Sequence, residues 1–245
     1  MLVGGLSIVL ALAGVINASQ IPLQIPSNDV VTPEHKTRVP ITLGVMSRCP
    51  DALLCESVLN NVFEKTWDII DVNLTFIAKI DPSEPAFGVT CLHGEGECRG
   101  NIHELCAMTL AHTQQDWWEF VQCLNFEGRE HVGEVDLSRK CAEVTGIPWD
   151  DAVEEVEGEG ELEGWVNVKT RVGMRTCIED RNQGLELLKR SAKETAGLGI
   201  TKSCSILITG KIRCIHDSEW KQCETGHEEE DFLKFIQDEY TRLNP

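Results

Sequence analysis

Residues 39–80 read VPITLGVMSRCPDALLCESVLNNVFEKTWDIIDVNLTFIAKI. Val39 to Met46 is short, apolar and rich in branched residues, the signature of a buried strand. Cys49 follows it, then Pro50, a residue favoured at the first position of a helix, and Asp51, which complements the positive end of the helix dipole. Leu54, Val58 and Val62 recur four apart, with Cys55, Leu59 and Phe63 beside them. That spacing predicts an amphipathic helix ending near Trp67. Ile69 to Ile80 predicts a second strand. Strand, helix and strand make a βαβ unit with a cysteine at its first turn.

Beyond this unit stands a second informative run, CLHGEGECRGNIHELC, from Cys91 to Cys106. Cys91, His93, Gly94, Glu97, Cys98, Asn101 and Cys106 resemble the signature of the gamma-interferon-inducible lysosomal thiol reductase family, C-Q-H-G-x-x-E-C-x-x-N-x-x-x-x-C. Leu92 replaces its Gln. Cys141-Ala142, and Cys177 followed by Gly184, occur in the family in the same order, so the resemblance spans Val39 to the C-terminus. It implies an α/β, thioredoxin-like fold that reduces protein disulfides in acidic compartments. No cofactor is implied, and electrons come from a small thiol or another protein.

Within that fold, residues 87–198 are expected to form a large, mainly helical, disulfide-rich insertion, including a helical stretch at Trp117-Trp118 and a loop at 157–164. Ser205 to Thr209 and Ile212 to Ile215 predict a closing hairpin, and Phe232 to Leu243 a final amphipathic helix.

Cys49 carries the candidate chemistry. A cysteine at a strand-to-helix turn meets the first helical amides and the positive dipole end, which favour the thiolate that attacks disulfides. The family segment is C-x-x-C; here Cys49-Pro50-Asp51 ends in Ala52, and the next cysteine is Cys55. Residues six apart on a helix sit about 10 Å apart, beyond the roughly 7 Å limit for a disulfide. A Cys49–Cys55 redox pair therefore requires residues 50–53 to form a loop. Otherwise Cys55 is a structural or core cysteine. The family's proline before the closing strand corresponds to Cys204. Placed there, Cys204 either approaches Cys49 or pairs with Cys214 or Cys223.

The chain has eleven cysteines. Cys91, Cys98, Cys106, Cys123, Cys141, Cys177, Cys214 and Cys223 read as structural disulfide formers, with an odd thiol left over. His93, Glu97 and Cys204 are assigned to local ordering or to substrate contact. A zinc site built on Cys91, His93 and Cys98 is disfavoured because cysteines in an oxidising compartment pair with one another.

Residues 2–16 are apolar but shorter than the roughly 20 residues of a membrane span. They predict a signal peptide cut after Ala18, followed by an extended leader over residues 19–38. Asn73-Leu74-Thr75 is a glycosylation sequon. The predicted setting is the secretory pathway, extracellular or lysosomal/vacuolar, without stable membrane insertion. A net charge of −18 opposes binding to nucleic acid.

Three function classes follow. One is a thiol reductase acting on disulfide-bonded proteins. The second is a catalytically inactive, disulfide-stapled binding protein of the same fold. The third is a monothiol isomerase or holder that needs only Cys49.

Overall fold

The computed structural model describes residues 36–156, 167–180 and 183–245. The signal-peptide reading, most of the leader and the loop at 157–164 lie outside the described residues. The βαβ unit forms from β1 (Val39–Val45), α1 (Pro50–Phe63) and β2 (Ile70–Phe76). β1 and β2 run parallel, Val39 opposite Ile70 and Val45 opposite Phe76. Both strands alternate in burial at their starts and are buried without a break over their last three residues, Leu43 to Val45 and Leu74 to Phe76, as expected where a strand is covered on both faces.

Two details differ from the sequence pattern. Helix α1 stops at Phe63, one turn short of Trp67, and Leu54 is exposed while Ala52, Cys55, Leu59, Val62 and Phe63 fill the core. The apolar run after Phe76 leaves the sheet: β3 (Lys79–Ile80) pairs instead with β4 (Val89–Thr90) in a separate ribbon.

The helical region contains α2 (Glu95–Leu110), α3 (Gln114–Phe126), α4 (Val135–Thr145), α5 (Met174–Glu179) and α6 (Gly184–Gly197). It also contains β5 (Ala152–Val156) and β6 (Asn167–Arg171), an antiparallel pair that helical periodicity did not predict. Thr113 and Asp116 close a reciprocal capping box at the start of α3, satisfying amides that the helix leaves open. On α3, Trp118 packs edge-on against Phe63 of α1 at 4.8 Å, and its indole N–H donates to Asn60 at 2.9 Å.

Helix α6 lies within the residues read as insertion, yet it covers the sheet itself. Thr75 bonds to Thr195 at 2.6 Å, and the Phe76 amide donates to Ser191 at 2.8 Å. Adjacent strand residues point to opposite faces, so α6 packs on the face that Thr75 presents.

β7 (Ser205–Ile208) and β8 (Lys211–His216) close the sheet as a hairpin, followed by the short β9 (Trp220–Lys221). The turn residues Thr209 and Gly210 both have positive φ, 51° and 76°, the backbone that two-residue hairpins require. Strand order is β2-β1-β7-β8-β9, with β7 antiparallel to β1. A parallel βαβ pair continued by an antiparallel hairpin and a final helix, α7 (Glu229–Leu243), is a thioredoxin-like architecture. At the edge, Gln114 of α3 accepts from the Val72 amide and donates to the Ile70 carbonyl, both at 2.8 Å. The side-chain amide thus occupies open strand groups that otherwise invite a further chain.

Candidate active site

Strand β1 delivers Met46, Ser47 and Arg48 to the mouth of α1, and Cys49 is the N-cap residue of that helix. Its own amide donates to Met46 O at 2.8 Å, and the Leu53 amide returns to Cys49 O at 3.2 Å. The turn is therefore closed on both sides of the cysteine. The Cys49 residue is 5% exposed, and its sulfur faces two acceptors, Asp51 Oδ2 at 3.9 Å and Ser203 O at 3.8 Å.

The signature run buttresses this turn. Asn101 accepts from the Ser47 amide at 3.1 Å, and the Ser47 hydroxyl donates to Glu97 O at 3.2 Å. Asn101 also donates to Cys91 Sγ at 3.8 Å. Arg48 donates from Nε to Val132 O at 2.8 Å and lies over Gly96. A methyl group on Gly100 would stand 2.5 Å from Ser47 Oγ and 2.6 Å from Val132, so glycine there lets α2 approach the turn. Glu97 is fully buried, accepts from the His93 amide at 3.2 Å and pairs with the His93 ring. These contacts tie His93 and Glu97 to each other at the start of the segment that holds Asn101.

On the other side, Asp51 Oδ1 accepts from the Ser218 amide at 2.8 Å and lies 2.7 Å from His216 Nδ1. His216 packs edge-on to Trp220 at 4.8 Å. The Met46 amide donates to Ser203 Oγ at 3.0 Å, and Cys204 exchanges both backbone hydrogen bonds with His216. The Ser203–Cys204 peptide is cis. Ser47, Asn101, Ser203 and His216 were not singled out for these roles by sequence. Asn101 alone had a signal, as a member of the quoted run; the others arrive through the closing hairpin and the turn.

Two cysteine assignments need correction. Cys55 is bonded to Cys204, with Cα atoms 6.3 Å apart, so the expected Cys49–Cys55 pair does not form. The cause is visible in α1, which begins at Pro50 and leaves no loop to fold Cys49 back onto Cys55. Cys204, taken by Cys55, likewise bonds neither Cys49, Cys214 nor Cys223; Cys214 of β8 bonds Cys223, which follows β9. The remaining bridges are Cys91–Cys98 at the entry to α2, Cys106–Cys177 between α2 and α5, and Cys123–Cys141 between α3 and α4. Cys49 is the free cysteine among the described residues.

With Cys91 and Cys98 in a disulfide, neither offers a thiolate to zinc. His103 is buried against Ser138 at 2.6 Å, and burial holds its pKa down to about 3, keeping the ring neutral. Asn73 is half-buried within β2, and Thr75 of the same sequon is fully buried. No helix among the described residues is long and apolar enough to cross a membrane.

Residues 40–145 match the family model described as gamma interferon inducible lysosomal thiol reductase (GILT). This stretch is similar to that family. It contains the Cys49 turn and the whole signature run that supports it. No curated protein matches the chain. Among solved structures, the oxidoreductase DsbA from Xylella fastidiosa aligns at 11% identity, over 84% of this chain and 86% of its own, with a TM-score of 0.46. A putative protein disulfide isomerase from Nitrosomonas europaea gives 12% identity, 85% and 100% coverage and a TM-score of 0.48. The alpha-DsbA1 of Wolbachia pipientis gives 14%, 85%, 88% and 0.44. All three are distant in sequence and superpose only loosely.

Two predictions concern the buttress of the Cys49 turn. Asn101→Ala removes the acceptor for a buried backbone amide, a loss of about 1–3 kcal/mol. Chemical unfolding should report that loss, with a fall in thiol-exchange rate because the Cys49 turn loosens. A variant equal to wild type in both would show that the turn stands without Asn101. Replacing both Cys91 and Cys98 by serine opens a bridge spanning seven residues, and chain-entropy reasoning puts the destabilisation at about 2 kcal/mol. A thermal melt checks it; an unchanged midpoint contradicts a stapling role.

Proposed function

We propose that this protein is a thiol–disulfide oxidoreductase that reduces disulfide-bonded proteins in an acidic or secretory-pathway compartment, with Cys49 as the nucleophile. The observation that carries the proposal is the position of Cys49: a free cysteine at the N-cap of a fourteen-residue helix, in a turn fixed by the family signature. A thiolate there attacks a substrate disulfide and forms a mixed disulfide. Asp51, whose Oδ2 lies 3.9 Å from the sulfur and whose Oδ1 lies 2.7 Å from His216 Nδ1, is suited to receive and return the thiol proton. No cofactor enters the scheme; a small thiol or a protein dithiol supplies the electrons.

An acidic setting is supported by Glu56 and Glu104, two fully buried carboxyl groups whose burial favours the protonated form. With a low-molecular-weight thiol as donor, the protein should release thiols from a denatured, disulfide-bonded protein faster than the donor alone, and best in acid. No excess over the donor at any pH contradicts this reading and favours the inactive binding protein, a reading to which the closed Cys55–Cys204 bridge gives some weight.

A further inference from the structure

Three cysteines meet around the first turns of α1. Cys55 and Cys204 are fully buried and bonded to each other across 149 residues of sequence. Cys49 is free, and its sulfur donates to the carbonyl of Ser203, the group that leads directly into Cys204. Cys204 is therefore bonded to Cys55 on one side and adjoins the Cys49 sulfur through its own peptide on the other. Ala52, where C-x-x-C would place a second thiol, lies buried one turn before Cys55 and has no sulfur to offer.

We propose that Cys55 and Cys204 replace the missing cysteine as the internal electron store of the site, with Cys204 the thiol that releases substrate from Cys49. This rests on the reading of Cys49 as nucleophile. A mixed disulfide on Cys49 needs attack by a second thiol, and every other cysteine is held in a bridge elsewhere in the fold. Cys204 is the one that directly follows Ser203, whose carbonyl accepts from the Cys49 sulfur.

The steps balance. In the reduced protein, Cys49 thiolate attacks a substrate disulfide, bonds one sulfur and expels the other as a thiolate that takes up a proton. Cys204 thiolate then attacks Cys49 Sγ, forming Cys49–Cys204 and expelling the second substrate thiolate. Cys55 thiolate attacks Cys204 Sγ, forming Cys55–Cys204 and freeing Cys49. The substrate disulfide gains two electrons, and the Cys55/Cys204 dithiol loses two. The structure has the cysteine pairing of the oxidised end of this sequence. Reset runs backwards: Cys49 thiolate opens Cys55–Cys204, and two equivalents of a small thiol remove Cys49 from the resulting bridge, leaving as their own disulfide. Since Cys55 and Cys204 are fully buried, external thiols reach them only through Cys49.

The test uses the full mature chain. Wild-type protein is held with a small thiol, alkylated, and mapped by mass spectrometry. Alkylation is expected at Cys49, Cys55 and Cys204, with the other four bridges closed. In Cys49→Ser, opening of Cys55–Cys204 should slow about tenfold or more, since its entry thiol is gone. Prereduced Cys204→Ser, mixed with a disulfide-bonded peptide, should hold the peptide on Cys49, with release slowed about a hundredfold. Cys55→Ser should release peptide but stop at a Cys49–Cys204 bridge, which serves where Cys204→Ser folds poorly. A Cys55–Cys204 bridge that stays closed while Cys49 still captures peptide overturns the relay and leaves Cys49 as a lone nucleophile. Equal release in wild type and Cys204→Ser overturns it too. Failure of Cys49 to capture peptide in any variant overturns the underlying reading instead.

Discussion

Cys49→Ser is expected to reduce disulfide release from a denatured protein to the rate of the thiol donor alone, at every pH tested. Serine keeps the size and the hydrogen bonds of the turn but supplies no nucleophile for disulfide exchange. The fold should survive, because Cys49 is in no bridge and the turn is closed by backbone bonds to Met46 and Leu53. The loss therefore separates chemistry from stability: unfolding midpoints of the two proteins should agree while their rates do not. Residual release above the donor rate in Cys49→Ser would place the chemistry on another cysteine.

The second large effect is in stability. Glu56 of α1 is fully buried, with one oxygen accepting from Asn125 at 2.7 Å, and burial raises its pKa from the ordinary 4.5 to about 7. Glu104 of α2 is buried without a hydrogen-bond partner for either oxygen, and it too is pushed well above the usual range by burial and by the charges of Glu56 and Glu97. The folded state thus holds these protons to higher pH than the unfolded chain does. Below about pH 4.5 both states are protonated and there is no penalty. As pH rises towards 7 the unfolded chain ionises first, and stability falls. For Glu56 alone the loss is about 3 kcal/mol, and Glu104 adds in the same direction.

Carboxylates held low, such as Asp81 and Glu84, work in the opposite sense, but only below the ordinary carboxylate range. Chemical unfolding at pH 5 and pH 7.5 should therefore show the acid sample more stable. Glu104→Gln, neutral at both, should narrow the difference by raising stability at pH 7.5. A wild type equally stable at both, or a variant with an unchanged difference, contradicts the account.

The βαβ unit was legible because local rules write it: a branched apolar run, Pro50 at the helix start and a four-residue apolar repeat. The end of β2 was not. Ile77 and Ala78 extend the apolar pattern although the chain is already turning towards β3, and periodicity carries no information about which strand a residue pairs with. The signature run was legible as a unit, yet its physical task, Asn101 and Glu97 gripping Ser47, depends on α2 docking against the turn. The β5/β6 ribbon was missed within a stretch dominated by acid. The Cys55–Cys204 bridge lay furthest beyond reach. Helical spacing showed that Cys49 and Cys55 are too far apart while the helix starts at Pro50, but only the pairing of β7 with β1 brings Cys204 beside α1. Ser203, just before β7, reaches Cys49 the same way, and His216 at the end of β8 reaches Asp51, each more than 150 residues away in sequence.

The most direct measurement is non-reducing peptide mapping of the mature protein after a brief challenge, in acid, with a disulfide-bonded protein and a small thiol donor. The account predicts a substrate peptide joined to Cys49, with Cys91–Cys98, Cys106–Cys177, Cys123–Cys141 and Cys214–Cys223 intact. Substrate joined to any other cysteine, or a Cys49 thiol left unreacted while the substrate remains oxidised, would contradict it.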